Sequence, residues 1–436
     1  MTSTKSAIKN TIWLFGERGA AMLLLLSTNI ILARYLSTNQ FGQLNYLISF
    51  MALLIPFSSL GLNVLITREI HNNVKPIKTI LSTALSLRVI GGGIGVILTC
   101  LALYFINFKD VIPDYWLIFA AIANIFTAGY LFDFYFQAKV ASRYAVKVRL
   151  FVLVLSSIAK ILAVVFDAEL KVFLIFVIFE PVLIGLLFGF AYKLHSNDKS
   201  NEWVFDSKYS RQLLQQSRWL VLSGFMAVVY LKVDQIMLGQ MLGATSVATY
   251  AVAVRLSEVW YFFPAALVGS FFPKLLEAKR NDKGYINQLQ NLCDILFWSS
   301  VILALVISLS SKYIVGVFFG EEYITASKIL NIHIWAAVFI FMRALLSKWL
   351  IAEGMLPFSL LSHGIAAVVN VVLNLYLIPL YGGVGAAWAT FVSYGCSSYL
   401  VLWLNCRTRP MAWIMTKSIL FPIRFYSSNN WKFNEK

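Results

Sequence analysis

Charge is scarce in this sequence. Asp, Glu, Lys and Arg make up 13% of its 436 residues, about half the usual share of a soluble domain, so a water-soluble fold is excluded. Cysteine is sparse too. Cys100, Cys293, Cys396 and Cys406 stand singly, in neither a disulfide framework nor a zinc-ligand spacing. His71, His195, His333 and His363 are too dispersed to put two ligands on one helix face, so no metal site is expected. The sequence GxxxxGK[ST] does not occur, and ATP hydrolysis lacks its phosphate loop. No small-residue cleavage site follows a short apolar core at the start, where Trp13, Leu14 and Phe15 run into Glu17 and Arg18. The first apolar stretch is therefore expected to stay as a span. Loops on the less basic side are short, the longest falling around residues 310–326. That leaves no room there for a catalytic domain. No catalytic residue is expected, and a membrane-embedded polysaccharide polymerase or synthase is disfavoured.

What is present is apolar surface. Hydrophobic residues make up 59% of the chain and the mean hydropathy is +0.75, the composition of an integral membrane protein. Runs of about 20 apolar residues, each enough to cross a bilayer, fall near 11–34, 43–65, 79–106, 114–137, 146–166, 171–192, 217–241, 247–272, 290–309, 327–350, 355–379 and 383–404. The formal charge of +16 is spread over short loops and forms no long basic stripe, which argues against nucleic acid. Lys and Arg concentrate in alternate loops, as at Arg68, Lys75 and Lys78 or Lys139, Arg143 and Lys147. This bias puts both termini and the central loop in the cytoplasm. An even number of spans preserves the alternation. The tail from Met411 to Phe425 mixes Trp413, Ile414, Leu420 and Phe421 with Lys417 and Arg424, and is expected to lie at the interface as an amphipathic segment.

The longest polar insert follows the sixth run. It divides the chain into residues 1–195, a linker at 196–216, residues 217–404 and a cytoplasmic tail at 405–436. Residues 29–44 (NIILARYLSTNQFGQL) resemble residues 235–250 (QIMLGQMLGATSVATY), and each closes one span and opens the next. Six spans per half keep the copies in one orientation. The fold class is thus all-α integral membrane, about twelve transmembrane helices in two six-helix bundles related by a pseudo-twofold axis along the membrane normal.

Arg18, Arg88, Lys160, Lys232, Arg255, Arg343 and Lys348 lie within otherwise apolar runs. A cation at mid-membrane costs roughly 2.5 to 3.5 kcal/mol on insertion scales, so each needs a partner, water or an anionic ligand. Arg18 and Asn29 are about three helical turns apart on one face, as are Arg149 and Lys160, with Ser156 between the latter pair. Snorkelling to headgroups is the alternative for Arg18 and Arg149, and is expected of Arg343 and Lys348. Arg255 and Glu258 can pair at i,i+3, as a structural ion pair or as a phosphate-binding Arg beside an ion carrier. Asp133, Glu180, Asp234 and Glu258 are the candidates for coupling a proton or Na+. Pro181 next to Glu180 frees a mid-helix carbonyl.

Four segments carry a family resemblance: LARYLSTNQFGQLNYL (32–47), FDFYFQAK (132–139), VDQIMLGQMLGATSVATYAVAVRLSE (233–258) and NVVLNLYLIPLYGGVGAAWAT (370–390). In the last, Asn370 and Asn374 share a face, Pro379 is expected to stop the helix, and Gly385, Ala386 and Ala387 permit close packing. In order and position these resemble the O-antigen and polysaccharide flippases of the multidrug, oligosaccharidyl-lipid and polysaccharide exporter superfamily. The resemblance implies a flippase of a bacterial inner membrane. It would move undecaprenyl-diphosphate-linked oligosaccharide from the cytoplasmic to the periplasmic leaflet by alternating access. It also implies a cationic central cavity, for which Arg18, Asn29, Arg88, Lys160, Lys232 and Arg255 are the substrate-binding candidates. The second run carries no Arg or Lys before Arg68, where related lipid II flippases have an arginine. Expected partners are the lipid-linked oligosaccharide, membrane lipids, and a polysaccharide polymerase with its chain-length machinery. A cation-coupled multidrug exporter of the same superfamily is the alternative, and would favour acidic over basic cavity residues.

Overall fold

The computed structural model describes residues 2–105, 111–196, 203–281 and 284–421, excluding the side chains of residues 2–18 and 356. Its regular elements are all helical. They are α1 (Thr2–Tyr35), α2 (Thr38–Ser59), α3 (Leu62–His71), α4 (Ile77–Phe105), α5 (Asp114–Ile125), α6 (Leu131–Ala138), α7 (Ser142–Val165), α8 (Leu170–His195) and α9 (Ser207–Leu242). There follow α10 (Ala244–Glu258), α11 (Phe262–Arg280), α12 (Tyr285–Phe319), α13 (Ala326–His333), α14 (Ala336–Ala352), α15 (Leu356–Tyr381), α16 (Gly383–Ser398) and α17 (Arg409–Ile419). Among the described residues ten helices, some of them bent, are long and apolar enough to cross a membrane. The first and last expected spans correspond to the shorter apolar stretch Gly19–Tyr35 and to α16.

Several spans are broken where the sequence forces it. The second, expected to run to residue 65, ends at Ser59. Pro56 contributes no amide hydrogen, and Leu60 and Gly61 follow with φ of 46° and 61° before α3 restarts the chain. A 3₁₀ turn over Phe126–Tyr130 interrupts the fourth span between α5 and α6. Another, over Val259–Tyr261, separates α10 from α11. Pro379 does not stop its helix. It lies inside α15, which runs on to Tyr381; the reversal that ends the helix is made by Gly382, with φ of 57°.

The described residues form two compact units, 1–251 and 252–436. The division falls within α10, later than the polar insert at 196–216. Residues 197–202 of that insert lie outside the described residues; residues 207–216 are the first turns of α9. Asp206 caps this helix by accepting from the Tyr209 amide at 2.9 Å, and forms an ion pair with Lys75. The Lys75 ammonium, then the Tyr209 amide, hold the Asp206 carboxyl below the usual carboxylate range.

In the first unit α9 packs against α2, which is why the unit extends to residue 251. The contact runs through the two similar segments noted above and on into the residues of α2 that follow the first of them. A Cβ on Gly42 would lie 1.9 Å from the Ala244 carbonyl oxygen, and one on Gly239 would lie 2.6 Å from the Tyr46 ring. Ser49 Oγ donates to Gln235 Oε1 at 2.5 Å, and Gln240 Nε2 to the Tyr46 hydroxyl at 2.7 Å. Glycines that let backbones touch, with polar bridges between them, replace the hydrophobic force that lipid does not supply. A core of Leu62, Ile66, Leu81, Phe132, Phe136 and Phe188 completes this unit.

The second unit is built around Leu292, Leu296, Phe341, Leu345, Met411 and Met415. Gly385 brings α16 against α15, since a Cβ there would meet the Leu377 carbonyl oxygen at 2.1 Å. The tail helix α17 is seated along α12. Gln290 Nε2 donates to the Ile414 carbonyl at 3.1 Å and Ser418 Oγ at 2.9 Å, and Trp298 Nε1 to the Ser418 carbonyl at 3.0 Å. Trp413, Lys417 and Leu420 remain exposed, the one-sided pattern of an interfacial helix. The tail beyond residue 421 lies outside the described residues.

Candidate functional site

The polar stripe on α7 meets acids from both of its neighbours. Arg149 Nη1 lies 2.6 Å from Asp133 Oδ2 of α6. Three turns further along, Lys160 Nζ donates to Glu180 Oε2 of α8 at 2.9 Å, and Ser156 Oγ donates to the same oxygen at 2.7 Å. Lys160 is 8% exposed. A cation so buried in an apolar setting needs such a counter-ion.

Two glycines let these helices approach. A Cβ on Gly129, in the 3₁₀ turn, would lie 2.3 Å from the Gly185 carbonyl oxygen, and a Cβ on Gly185 would lie 2.1 Å from that of Phe126. The crossing sets Tyr130 in the field of Glu180, Arg88 and Arg149.

Arg88 of α4 is 2% exposed, and its acceptors are neutral oxygens at helix breaks. It donates to the Ser58 carbonyl at 3.2 Å, the Thr127 carbonyl at 3.2 Å and Asn63 Oδ1 at 3.4 Å. Ser58 is in the last turn of α2, and Thr127 in the 3₁₀ turn after α5. Carbonyls freed at helix ends carry partial negative charge and attract a guanidinium.

Asn29 uses its side-chain amide on its own helix, donating to the Leu25 carbonyl at 2.7 Å. Arg18 is in α1, and its side chain lies outside the described residues. Asp234 is 3% exposed and accepts from the Tyr250 hydroxyl at 2.6 Å, while Lys232, two residues away, is half-buried. In the second unit Arg255 and Glu258 are both half-buried one turn apart on α10.

Arg343 departs from expectation. It does not snorkel but is 6% exposed, donating Nη1 to the Ser397 carbonyl at 2.9 Å. Its Nη2 lies 2.9 Å from His363 Nε2. Arginine only donates, so that nitrogen accepts and the imidazole is neutral in this arrangement. Lys348 lies over the Phe272 ring, 5.4 Å from its centroid. Asn370 and Asn374 do share a face, Asn374 Nδ2 donating to Asn370 Oδ1 at 3.1 Å.

Tyr130, Tyr250 and His363 do not stand out in the sequence. Each takes its importance from a residue on another helix, for which a single sequence carries no signal. Among the described residues, no group of three or more His, Cys, Asp or Glu is arranged to hold a metal.

A family model described as polysaccharide biosynthesis protein matches residues 7–279, and a second, MatE, matches residues 220–376. A Haloferax volcanii protein named "Probable low-salt glycan biosynthesis flippase Agl15" is 26% identical over 197 residues, 44% of this chain and 41% of that protein. A Shigella flexneri protein provisionally named O-antigen transporter is 24% identical over 220 residues, 50% of this chain and 52% of that protein. The chain thus matches about half the length of these relatives. The lipid II flippase MurJ in an inward closed conformation shares the fold, with TM-score 0.71 at 15% identity, over 97% of this chain and 93% of that one.

Proposed function

This chain belongs to the polysaccharide biosynthesis protein family, and from that premise we propose that it is a flippase for polyprenyl-diphosphate-linked oligosaccharide. It moves the substrate by alternating access from the cytoplasmic to the periplasmic leaflet of a bacterial inner membrane, with both termini cytoplasmic. An undecaprenyl-linked O-antigen unit is the substrate in this reading. Polysaccharide polymerase and chain-length machinery act on the product.

The observation that carries the proposal is the state of the acids. Asp133 and Glu180, the acidic groups on which a cation exporter would rely, are each held by a cation, and Asp234 by a tyrosine hydroxyl. The fully buried Arg88, by contrast, is satisfied by neutral oxygens and keeps its charge uncancelled by a paired acid. An interior of this sign suits a diphosphate. In this reading Arg18, Asn29, Lys160, Lys232 and Arg255 contact the substrate, and Arg88 both shapes the broken helices and sets the positive potential.

Coupling follows from the Lys160–Glu180 pair. A proton arriving at Glu180 neutralises the carboxylate and releases Lys160, whose ammonium then exchanges onto the diphosphate. Asp133, Asp234 and Glu258 are secondary candidates for H+ or Na+. Lys160→Gln and Arg255→Ala are expected to lower surface polysaccharide at unchanged membrane abundance. Wild-type polysaccharide in both would overturn the assignment.

The MatE match over 220–376 favours a second reading, a cation-coupled multidrug exporter. Efflux of an organic cation that survives Lys160→Gln, with surface polysaccharide unaffected by loss of the protein, would support it.

A further inference from the structure

The segment FDFYFQAK does more than supply Asp133. Tyr135, Phe136 and Lys139, with Tyr144 from the start of α7, Ile77 from the start of α4 and His195 from the end of α8, line a pocket of about 430 Å³. That volume is in the range of small-molecule sites, roughly 300 to 1,000 Å³. Tyr135 and Phe136 are buried and form an aromatic floor, while Lys139 and His195 are exposed at the rim.

Two basic groups converge on one ring. The His195 imidazole lies 4.1 Å, centroid to centroid, from the Tyr144 ring. The Arg143 guanidinium lies 4.7 Å from that ring's centroid and donates to the Tyr144 hydroxyl at 2.8 Å. His195 Nδ1 bonds the Ala191 carbonyl at 3.1 Å. That carbonyl requires the hydrogen on Nδ1 and leaves Nε2 for a ligand. Among the described residues, none of Lys139, Arg143 and His195 forms an ion pair with an acid.

The backbone is shaped for this cluster. Val140 has φ of 53°, a left-handed conformation that β-branched residues seldom adopt, and the turn it makes brings Lys139 and Tyr144 to the same pocket. α7 starts directly afterwards, with no side-chain cap and no acid in its first turn. Its positive end is therefore not neutralised at the pocket.

We propose that this pocket binds a phosphate-bearing headgroup, the phosphate held by Lys139 and His195, with Arg143 beside the Tyr144 ring adding to the positive field, and its glycerol or sugar lying on the Tyr135, Phe136 and Tyr144 surfaces. The site stands apart from the intramembrane cations and does not depend on the flippase reading. Two sources share this chemistry, an anionic phospholipid in the adjoining leaflet and a soluble sugar phosphate.

The test uses the full chain in nanodiscs of zwitterionic lipid. Glucose 1-phosphate and dihexanoyl-phosphatidylglycerol are titrated separately, binding being read by phosphorus NMR line broadening and native mass spectrometry, with glucose and dihexanoyl-phosphatidylcholine as controls. Saturable binding of either phosphate probe is expected, and which one binds identifies the source. Lys139→Gln with His195→Gln should weaken it about tenfold or more, as loss of charge-assisted hydrogen bonds implies, while Lys147→Gln on the exposed side of α7 leaves it unchanged. Should the double variant fail to fold, Tyr144→Leu tests the same site through its aromatic wall and is expected to weaken binding. Absence of saturable binding by both probes, equal binding of the uncharged or zwitterionic controls, or wild-type affinity in the folded variant would overturn the proposal.

Discussion

Replacing Glu180 by glutamine perturbs the α7–α8 cluster with the least change of shape. The Lys160–Glu180 separation of 2.9 Å corresponds to an attraction of about 5 to 6 kcal/mol at an effective dielectric of about 20, much of it offset by desolvation of both groups. Glu180→Gln leaves an uncompensated ammonium on a residue that is 8% exposed; Lys160→Met leaves the carboxylate with Ser156 as donor. Each single change should cost about 3 to 5 kcal/mol, whereas the double variant carries no stranded charge and should cost less than the sum. A coupling energy of about 2 to 3 kcal/mol is therefore expected from a double-mutant cycle, with all four proteins unfolded reversibly in mixed micelles by titration with SDS. Additivity to within about 0.5 kcal/mol would refute the pairing. With it would go the proposal that protonation of Glu180 releases Lys160.

Other perturbations bear on the packing and the caps. Gly129→Ala should destabilise the protein by about 1 to 3 kcal/mol, the cost of overpacking, because its methyl would meet the Gly185 carbonyl at 2.3 Å; an unshifted unfolding midpoint would contradict the close crossing. His363→Phe removes an acceptor from buried Arg343 and should cost about 1.5 to 3 kcal/mol, measured by the same titration, while Lys348→Met should change stability by less than 1 kcal/mol. Asp206, with its carboxyl held low by Lys75 and the Tyr209 amide, contributes stability that is present at neutral pH. That contribution falls as acidification passes the folded carboxyl's pKa. Asp206→Asn should therefore flatten the acid limb of the stability profile; an unchanged limb would show that Lys75 is not its partner.

Much of the architecture was legible because the bilayer simplifies it. Apolar runs long enough to span had few alternatives to helices, and the twelve expected runs correspond to helical segments. Boundaries failed where local chemistry outweighed hydropathy. The second span stops at Ser59, since Leu60 and Gly61 take left-handed conformations; α15 passes Pro379, and Gly382 is the residue that turns. The similarity between residues 29–44 and 235–250 identified two hairpins, but not that Gly42 and Ala244 bring them into contact.

The charged residues were recognisable as costly, and the face shared by Arg149 and Lys160 follows from helical spacing alone. Their partners were not. Asp133 and Glu180 were singled out as ion carriers from their positions, and which cation each meets depends on helices brought together by Gly129 and Gly185. Arg343 looked like a snorkelling residue from its place near a span end. Its actual partners, the Ser397 carbonyl and His363, lie on two other helices.

Translocation in purified components decides whether this protein is a flippase. Proteoliposomes carrying the full chain and a fluorescent polyprenyl-diphosphate oligosaccharide can be assayed for the rate at which inner-leaflet sugar becomes accessible to an external glycosidase. The protein is expected to accelerate this exposure, and Lys160→Gln to slow it. Exposure no faster than in protein-free liposomes, while the same preparation transports an organic cation, would contradict the flippase assignment.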